Sequence, residues 1–493
     1  KAALARRMPV PYRTMTIIAA FLVNAGLNFA LGLLVARFLR PDEFGRYAVA
    51  MAVAVVINTA CFEWLRLSTT RFYSDERHAG EPGLRATIEL GYAVVSLALC
   101  AVIGLAWVAD VELGMPAALL AAATAAGIGM ALFDYRGALA RARFLERSYA
   151  QIVLFKNAAA FLLMVGGAFL FGSPALVLCG AAASGAAALL VARRALADPQ
   201  LRPGLAQRGH LRTFAIYAMP LVAANILYQL MPLMNRSALA LSADYAEAGK
   251  FSLAADLGLR LFMTLGSGLD ILLFQIAVRI EAARGRAEAE GQIAHNLAVV
   301  MALLLPLAAG FWIALPALEA LMVPQAYRGA FAAYATVLMP GFVAFALIQY
   351  ALNPVFQLRR RTVPVILAAF AGLAANAILL PLLLPALGPI GAAYAQAGGL
   401  ALGAMLVAAL AVRSGGLRLP WRELALSAAA SAAMAFALLP LRTIEPPALV
   451  LFVAATAGIF IYGAFVYLFD IASLRTMARE RFAPGRAVVA PAE

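Results

Sequence analysis

Long apolar stretches alternate with short polar connections along the whole chain. An α-helix needs about 20 mostly apolar residues to cross the hydrocarbon core of a bilayer, and fourteen stretches approach that length. They lie at 14-36, 46-65, 86-109, 113-134, 149-171, 174-192, 213-235, 246-276, 293-315, 331-352, 363-384, 388-412, 422-440 and 447-470. The pattern predicts an all-α polytopic membrane protein with 14 transmembrane helices, numbered here as spans 1 to 14.

Lysine and arginine are concentrated in every second connection. The eight connections and tails on one side hold thirty of these residues, whereas the seven on the other side hold six. By the positive-inside rule, the basic side is cytoplasmic, which predicts cytoplasmic N and C termini. The same rule accounts for the net charge of +14 without a nucleic-acid partner.

Composition narrows the possible chemistry. With 64% hydrophobic and 13% charged residues, a water-soluble chain would expose far too much apolar surface. No connection is long enough for a soluble domain with its own core, and no phosphate-binding G-x-x-x-x-G-K-[ST] string occurs. The three cysteines lie within spans and the three histidines are isolated, so we expect no metal and no cofactor. These features favour a transporter over an enzyme.

An internal repeat organises the spans. The string from Phe44 to Ala50 aligns with the string from Ala248 to Ala254 at an offset of 204 residues. Because six spans separate the two copies, both halves have the same orientation in the membrane. We therefore predict two parallel six-helix lobes, an N-lobe at 1-200 and a C-lobe at 201-412, followed at 413-493 by two appended C-terminal helices and a cytoplasmic tail.

Three segments carry a family resemblance. The string from Gly32 to Ala48, with Ala36-Arg37 followed by Pro41 and Phe44-Gly45-Arg46-Tyr47, resembles the opening of the polysaccharide flippases of the multidrug/oligosaccharidyl-lipid/polysaccharide transporter superfamily. Arg40 stands where that pattern usually has glycine. The segments Arg71-Phe72-Tyr73 and Pro389-Ile390-Gly391-Ala392-Ala393-Tyr394 are also similar to this family.

The resemblance implies a flippase of a bacterial inner membrane. Such a protein moves undecaprenyl-pyrophosphate-linked oligosaccharide repeat units from the cytoplasmic to the periplasmic face by alternating access, for surface polysaccharide or exopolysaccharide synthesis. Its partners would be the lipid-linked oligosaccharide, membrane lipids and a polysaccharide polymerase. A cation-coupled multidrug antiporter and a lipid II-type flippase share the fold and stay open as alternatives. A membrane polymerase is a third alternative, but it would need a larger outer loop.

Ionisable residues inside spans are costly, so they are candidates for function. Arg260 lies roughly 20 Å into span 8 at a rise of about 1.5 Å per residue, close to the middle of the membrane. Its guanidinium can bind a pyrophosphate or an acidic sugar in bidentate fashion. Asp256 lies at i−4 from Arg260, so a local ion pair between them is the alternative.

Further cations can contact an anionic substrate. Arg66 and Arg71 follow span 2 on the cytoplasmic side, and Lys156 lies about two turns into span 5, where snorkelling to headgroups is the alternative. Arg37 and Arg236 are expected to end spans 1 and 7 on the outer side, to hold an anionic product or to anchor the helices.

Amides and carboxylates complete the predicted site. Asn24 and Asn28 share one face of span 1, and Asn225 and Gln229 share one face of span 7, so these four amides can line a polar cavity and bind sugar hydroxyls. Hydrogen bonding between helices is the alternative role. Asp256 and Glu63 are possible sites of proton or sodium coupling.

Overall fold

A computed structural model describes residues 26–73, 83–109, 114–198, 201–359, 361–476 and 479, without the side chains at 203, 267, 268 and 270–272. Within these residues all regular secondary structure is helical. Each of the fourteen predicted apolar stretches contains a helix, and we number these helices α1 to α14 in chain order.

Six of these helices precede residue 200 and eight follow it. The first six are α1 (Gly26–Phe38), α2 (Pro41–Phe72), α3 (Gly83–Val108), α4 (Ala117–Ala142), α5 (Glu146–Phe171) and α6 (Pro174–Ala187). The next four are α7 (Arg208–Ser242), α8 (Tyr245–Arg284), α9 (Arg286–Met322) and α10 (Ala330–Leu358). The last four are α11 (Val363–Leu387), α12 (Gly391–Arg413), α13 (Trp421–Leu438) and α14 (Pro447–Phe469).

Most of these helices are long and apolar enough to cross a membrane. Among the described residues, ten helical stretches meet both criteria, and one of the ten, Val363–Arg413, comprises α11 and α12. Two further apolar helices are shorter, α1 from its first described residue and α6. The prediction of an all-α polytopic membrane protein is confirmed.

Helix ends differ from the predicted span ends. Span 7 was placed at 213-235, but α7 runs from Arg208 to Ser242, and α8 continues to Arg284 beyond the predicted end at 276. Basic and polar residues mark the end of an apolar stretch in the sequence. Many of them are still good helix formers, so a helix can continue beyond the point where it leaves the bilayer. Conversely, α6 ends at Ala187 and gives way to turns before the predicted end at 192.

The chain divides into two compact units. Unit 1 contains Lys1–Leu257, Pro324–Tyr334 and Ala369–Gly399, and unit 2 contains Gly258–Val323, Ala335–Ala368 and Leu400–Glu493. The boundaries of the two predicted lobes stay a prediction.

In unit 1, α4 is the central helix and packs against α2, α3, α5 and α6. Small residues permit the closest approaches: a Cβ atom on Gly129 would lie 2.6 Å from the carbonyl oxygen of Ala182 on α6. The connection that follows α6 is fastened to α3, because Arg85 Nη2 donates to the carbonyl of Leu196 at 2.8 Å and the Gln207 amide donates to Thr87 Oγ1 at 2.9 Å.

In unit 2, the appended helices α13 and α14 pack on α9. The hydroxyl of Tyr462 on α14 donates to the carbonyl of Ala302 at 2.7 Å, and the guanidinium of Arg442 lies 4.1 Å from the centre of the Trp312 indole. A buried tyrosine in an apolar environment needs such a partner for its hydroxyl. These contacts fix the appended pair to one helix of the unit.

Candidate functional site

A π-helical turn in the middle of α2 begins the polar part of unit 1. Residues Asn58–Phe62 form this turn, and Glu63 is the first residue of the α-helical segment that follows. The Asn58 side-chain amide donates to the carboxylate of Asp134 on α4 at 3.2 Å. A π turn interrupts the regular hydrogen bonds of a helix, and such turns are frequent at functional sites.

Just beyond the turn, Glu63 joins two helices. Its carboxylate accepts from Arg66 on α2 at 2.6 Å and from the side-chain amide of Asn225 on α7 at 3.0 Å. The Glu63 side chain is 12% exposed and that of Arg66 is 29% exposed, so this ion pair is largely buried. The contact brings a residue of predicted span 2 together with one of predicted span 7.

A second cation approaches from α5. The ammonium group of Lys156 lies 5.2 Å from the centre of the Phe133 ring and 3.4 Å from the side-chain oxygen of Asn157. The positive charges of Arg66, Lys156 and Arg141 act on the carboxylate of Asp134. Lys156 therefore lies over α4, beside the carboxylate that Asn58 binds.

We call these six residues the α2 polar cluster: Asn58, Glu63, Arg66, Asp134, Lys156 and Asn225. Its charged members are two carboxylates and two cations. The cluster offers guanidinium and ammonium donors that suit phosphate oxygens, and amides that suit hydroxyl groups. Charged and amide side chains within membrane-spanning helices cost free energy unless they face a polar ligand or water.

Tyr92 on α3 lies against this cluster. Its ring stacks on Phe62, the last residue of the π turn, with centroids 5.6 Å apart, and contacts Tyr135 at 4.9 Å. Its side chain is 3% exposed, and its hydroxyl makes no hydrogen bond in the described structure. The charges of Asp134, Arg66 and Glu63 all act on that hydroxyl.

The two strings of the internal repeat meet in unit 1. A methyl group on Gly45 of α2 would overlap the carbonyl oxygen of Tyr245 and lie 2.6 Å from its carbonyl carbon. A methyl group on Gly249 of α8 would overlap the carbonyl oxygen of Pro41 and lie 3.0 Å from the Gly45 amide nitrogen. Pro41 and Tyr245 each precede the glycine by four residues, so the contact is reciprocal. We call it the α2–α8 crossing.

A side-chain contact also joins these two helices. The Arg46 guanidinium lies 4.6 Å from the centre of the Tyr245 ring, a cation–π contact. On α8, Glu247 accepts from Lys250 at 2.6 Å and from the hydroxyl of Tyr334 at 2.9 Å. Backbone contact and the Arg46–Tyr245 contact therefore join α2 to α8, and Tyr334 joins α8 to α10.

Two predictions about Arg236 and Asp256 need correction. Arg236 does not end its span, because α7 continues to Ser242, and the side chain is buried at 6% exposure. The ion pair of Asp256 is with Arg236, and the guanidinium also donates to the carbonyl of Ala48 at 3.1 Å. The partner of Asp256 is therefore on a neighbouring helix. The sequence spacing had suggested instead an i,i+4 pair of Asp256 with Arg260 on the same helix.

A buried amide group ties α7 to α11 and α12. The side-chain amide of Asn235 donates to Asn376 and to Gln396, both at 3.0 Å. Asn235 and Asn376 are fully buried and Gln396 is 5% exposed. Hydrogen bonds between amides are a common means of helix association in membranes.

The other predicted site residues lie as follows. Arg260 is exposed on α8 and belongs to unit 2, Arg71 is exposed near the end of α2, and Arg37 is exposed at the end of α1. Asn28 on α1 and Gln229 on α7 are half-buried, and Asn24 lies outside the described residues. Their roles in binding stay predictions.

Asp134, Asn58 and Tyr92 were missed by the sequence analysis. The predicted span 4 ends at residue 134, which made the carboxylate look interfacial, but α4 continues to Ala142. The criterion that selected Arg260, an ionisable residue inside a helix, would have found Asp134 had the helix end been placed correctly.

An apolar groove lies elsewhere in unit 1, between α3, α4 and α6. Its volume is about 640 Å³, and Cys100, Trp107, Ile128 and Cys179 contribute to its lining. Lining of this kind suits hydrocarbon chains rather than charged or hydroxylated groups.

Comparison with known proteins finds similarity only at the level of structure. Neither the models of known protein families nor the curated protein sequences match this chain. Among solved structures, "Lipid II flippase MurJ, inward closed conformation" superimposes with a TM-score of 0.71 at 14% identity, over 94% of this chain and 100% of that chain.

Multidrug transporters are similar over a smaller share of the chain. An inward-facing multidrug resistance MATE family transporter of the MOP superfamily gives a TM-score of 0.56 at 11% identity, covering 80% of this chain and 94% of that chain. A mutant form of the Vibrio cholerae MATE transporter VcmN gives 0.51 at 13% identity, covering 80% of this chain and 94% of that chain. The chain has the fold that the lipid II flippase and the MATE transporters of this superfamily share.

Proposed function

We propose that this protein is a flippase for a lipid-linked oligosaccharide with a pyrophosphate headgroup. It would work in a bacterial inner membrane with both termini in the cytoplasm, taking substrate from the cytoplasmic face to the periplasmic face. The observation that carries the proposal is the α2 polar cluster, in which Glu63 accepts from Arg66 on α2 and from Asn225 on α7, a helix of the predicted second repeat. Transporters built from two repeats bind substrate where the repeats meet.

The chemistry of the cluster fits both parts of such a substrate. Arg66 and Lys156 can bind phosphate oxygens with charge-assisted hydrogen bonds. Asn58 and Asn225 can bind sugar hydroxyls. Separately, we propose Arg260 on α8 as a substrate-binding cation. The fold shared with the lipid II flippase supports a lipid-linked substrate.

Alternating access requires a contact that closes one side. The α2–α8 crossing lies at the start of both helices, which the charge pattern assigns to the outer face. We propose that the crossing closes the outer side while the cluster is open to the cytoplasm, and that it separates when substrate leaves. The N-lobe at 1-200 and the C-lobe at 201-412 would be the two moving bodies.

A multidrug antiporter is the second candidate, and one observation favours it. The cluster contains the carboxylates of Glu63 and Asp134, and MATE transporters share the fold. Organic cations would need a carboxylate that has no permanent cationic partner. Glu63 has Arg66 as its partner, so an antiporter would depend on Asp134.

Reconstitution distinguishes these functions. The full-length protein is reconstituted in proteoliposomes that contain a fluorescent oligosaccharide linked to undecaprenyl pyrophosphate. Movement of this glycolipid from the inner to the outer leaflet is followed by the fluorescence lost to an external quencher. We expect Arg66→Ala to slow movement at least tenfold, because a charged hydrogen bond is worth about 1.5–3 kcal/mol. Arg193→Ala, an exposed arginine outside the cluster, is the matched control.

The same vesicles test the second candidate. Uptake of ethidium driven by a proton gradient, with no movement of the glycolipid, would reject the flippase and support the antiporter. Movement of the glycolipid that is equal in wild type and Arg66→Ala would remove the α2 polar cluster from the substrate path.

A further inference from the structure

The loop between α4 and α5 has a phenylalanine at a position where glycine is usual. Helix α4 ends in a Schellman motif, in which the Phe144 amide donates to the carbonyl of Arg141 at 3.0 Å. The next amide, that of Leu145, donates to the carbonyl of Ala140 at 2.9 Å. The motif requires a left-handed residue after the helix, and Phe144 has φ +53°. A side chain is disfavoured in this conformation, which is why glycine is common there.

The Phe144 ring does not repay this strain by packing. Its side chain is 89% exposed. The following residue, Leu145, packs against the buried core that contains Ala140, so the hydrophobic contact of the motif is made without the phenylalanine. The neighbouring helix α5 has the usual residue at its end, Gly172, with φ +58°. An exposed aromatic residue at a strained position is typical of a surface that contacts something outside the chain.

The corresponding loop of the second predicted repeat is built differently. The string from Phe144 to Arg147 is similar to the string from Phe356 to Arg359, and each follows the fourth span of its repeat. Phe356 is 2% exposed, and the Arg359 guanidinium donates to the carboxylate of Glu290 at 2.6 Å. These two residues therefore serve packing within unit 2. In the α4–α5 loop, the phenylalanine and the arginine are both exposed.

The surroundings of Phe144 are basic. Three arginines lie within three residues of it, namely Arg141, Arg143 and Arg147. The one carboxylate between residues 141 and 147 is Glu146, so three positive charges and one negative charge leave a net charge of +2. Arg143 is fixed in place, because its Nη1 donates to the carbonyl of Ala195 at 3.1 Å. We call the three arginines and Phe144 the α4–α5 surface.

The lengths of the two helices place this surface among lipid headgroups. α4 and α5 contain 26 residues each. At a rise of about 1.5 Å per residue, each helix is about 39 Å long. The hydrocarbon core of a bilayer is about 30 Å thick, and the bilayer with its headgroups is about 40–45 Å thick. The loop that joins these helices therefore lies at headgroup level, and the charge pattern assigns it to the cytoplasmic leaflet.

We propose that the α4–α5 surface binds anionic phospholipids of the cytoplasmic leaflet. The arginines donate to the phosphate oxygens of the headgroups, with charge-assisted hydrogen bonds. The Phe144 ring inserts beside the first carbons of the acyl chains, the level at which aromatic rings are enriched in membrane proteins. The ligand is a lipid of the surrounding membrane and the surface contains no residue of the α2 polar cluster, so the site is independent of the proposed function.

Tryptophan fluorescence in vesicles tests this site. Phe144→Trp is made in the full-length protein with its four native tryptophans replaced by phenylalanine. The vesicles contain phosphatidylcholine and phosphatidylglycerol, and bromine atoms, which quench tryptophan, are placed on the upper acyl carbons of an equal amount of one lipid or the other. The two preparations thus differ in the labelled lipid alone. Phe171→Trp, at a 66% exposed position at the opposite end of α5, is the matched control.

Brominated phosphatidylglycerol should quench Phe144→Trp about fivefold more than brominated phosphatidylcholine, since each basic residue near an anionic surface contributes about 1 kcal/mol. The two lipids should quench Phe171→Trp equally. Adding Arg141→Gln and Arg147→Gln, or raising the salt concentration to about 1 M, should bring the ratio for Phe144→Trp towards one. Equal quenching of Phe144→Trp by both lipids at low salt would overturn the inference. Quenching by neither lipid would also overturn it, because the surface would then lie in water, where an acidic protein could bind.

Thermal unfolding in an uncharged detergent separates the role of the ring from folding. Phe144→Gly relieves the left-handed strain and should raise the melting temperature by about 1–2 °C. Gly172→Phe introduces the same strain at the end of α5, where nothing lies within 4 Å of an added Cβ atom, and should lower the melting temperature by a similar amount. An unchanged or lower melting temperature of Phe144→Gly would show that the ring stabilises the fold, and would overturn its assignment to lipid binding.

Discussion

The α2–α8 crossing allows one substitution to be worked through in detail, Gly45→Ala. The new methyl group would overlap the Tyr245 carbonyl and lie 2.6 Å from its carbon. Carbon atoms in optimal contact are about 3.5–4.0 Å apart, so the two helices must separate by about 1 Å. The obstructing atoms are backbone atoms, which a change of rotamer cannot move.

The free energy follows from overpacking of the closed crossing, which costs about 1–3 kcal/mol. The helix propensity gained by replacing glycine with alanine, about 1 kcal/mol, applies to the closed and the separated crossing alike and cancels. At about 2 kcal/mol, the middle of the range, the substitution changes the equilibrium constant between the two states about thirty-fold.

Spin labels report the crossing directly. We place them at Arg40 and Asp244, which are exposed and lie just before α2 and α8, in a background with the three native cysteines replaced by alanine. Gly45→Ala should raise the ratio of long to short distances about thirty-fold. Gly166→Ala, where nothing lies within 4 Å of the new methyl group, should leave the ratio unchanged.

The reciprocal geometry makes the double variant informative. Gly249→Ala alone should also favour the long distance, because its methyl group would overlap the Pro41 carbonyl. Once either alanine has separated the helices, the second meets less resistance, so Gly45→Ala with Gly249→Ala should shift the ratio by less than the product of the single effects. If Gly45→Ala and Gly166→Ala gave equal ratios of long to short distances, the added methyl group would not separate α2 from α8. That result would refute the close backbone contact at the crossing.

Three further outcomes are expected. Arg260→Ala should slow glycolipid movement in proteoliposomes at least tenfold without lowering the melting temperature, and full activity would remove this residue from the substrate path. Asp256→Ala should cost about 1–3 kcal/mol in thermal unfolding, because the Asp256 side chain is 42% exposed and Arg236 keeps its bond to the Ala48 carbonyl, and Asp256→Ala combined with Arg236→Met should recover most of that loss. Tyr462→Phe should cost about 1 kcal/mol, since the hydrogen bond to the Ala302 carbonyl is lost; an unchanged melting temperature would argue against that bond.

The number of helices was predictable because a bilayer imposes a minimum apolar length on every span. All fourteen apolar stretches contain a helix in the described residues. Helix ends were less predictable, because leaving the hydrocarbon core does not end a helix. The misplaced end of span 4 had the largest consequence, since it concealed Asp134.

The members of the site were more predictable than their partners. Glu63, Arg66, Lys156 and Asn225 were chosen because polar residues in apolar helices are rare. Glu63 and Asn225 are 162 positions apart, and no spacing along one helix can indicate a contact between two helices. The glycine of each repeat string marks one place where α2 and α8 meet.

The Arg236–Asp256 pair shows why local spacing fails in a helix bundle. A residue at i+4 must compete with residues on neighbouring helices that lie equally close. Here the partner of Asp256 is Arg236 on α7. The Arg236 guanidinium donates to the carbonyl of Ala48 on α2 as well as to Asp256 on α8, so one side chain of α7 contacts both helices. Ala48 lies three residues beyond Gly45, and Asp256 seven beyond Gly249. The pair therefore binds α7 to both helices of the α2–α8 crossing. Separating these helices must break at least one of its bonds, so the pair stabilises the α2–α8 crossing in its closed form.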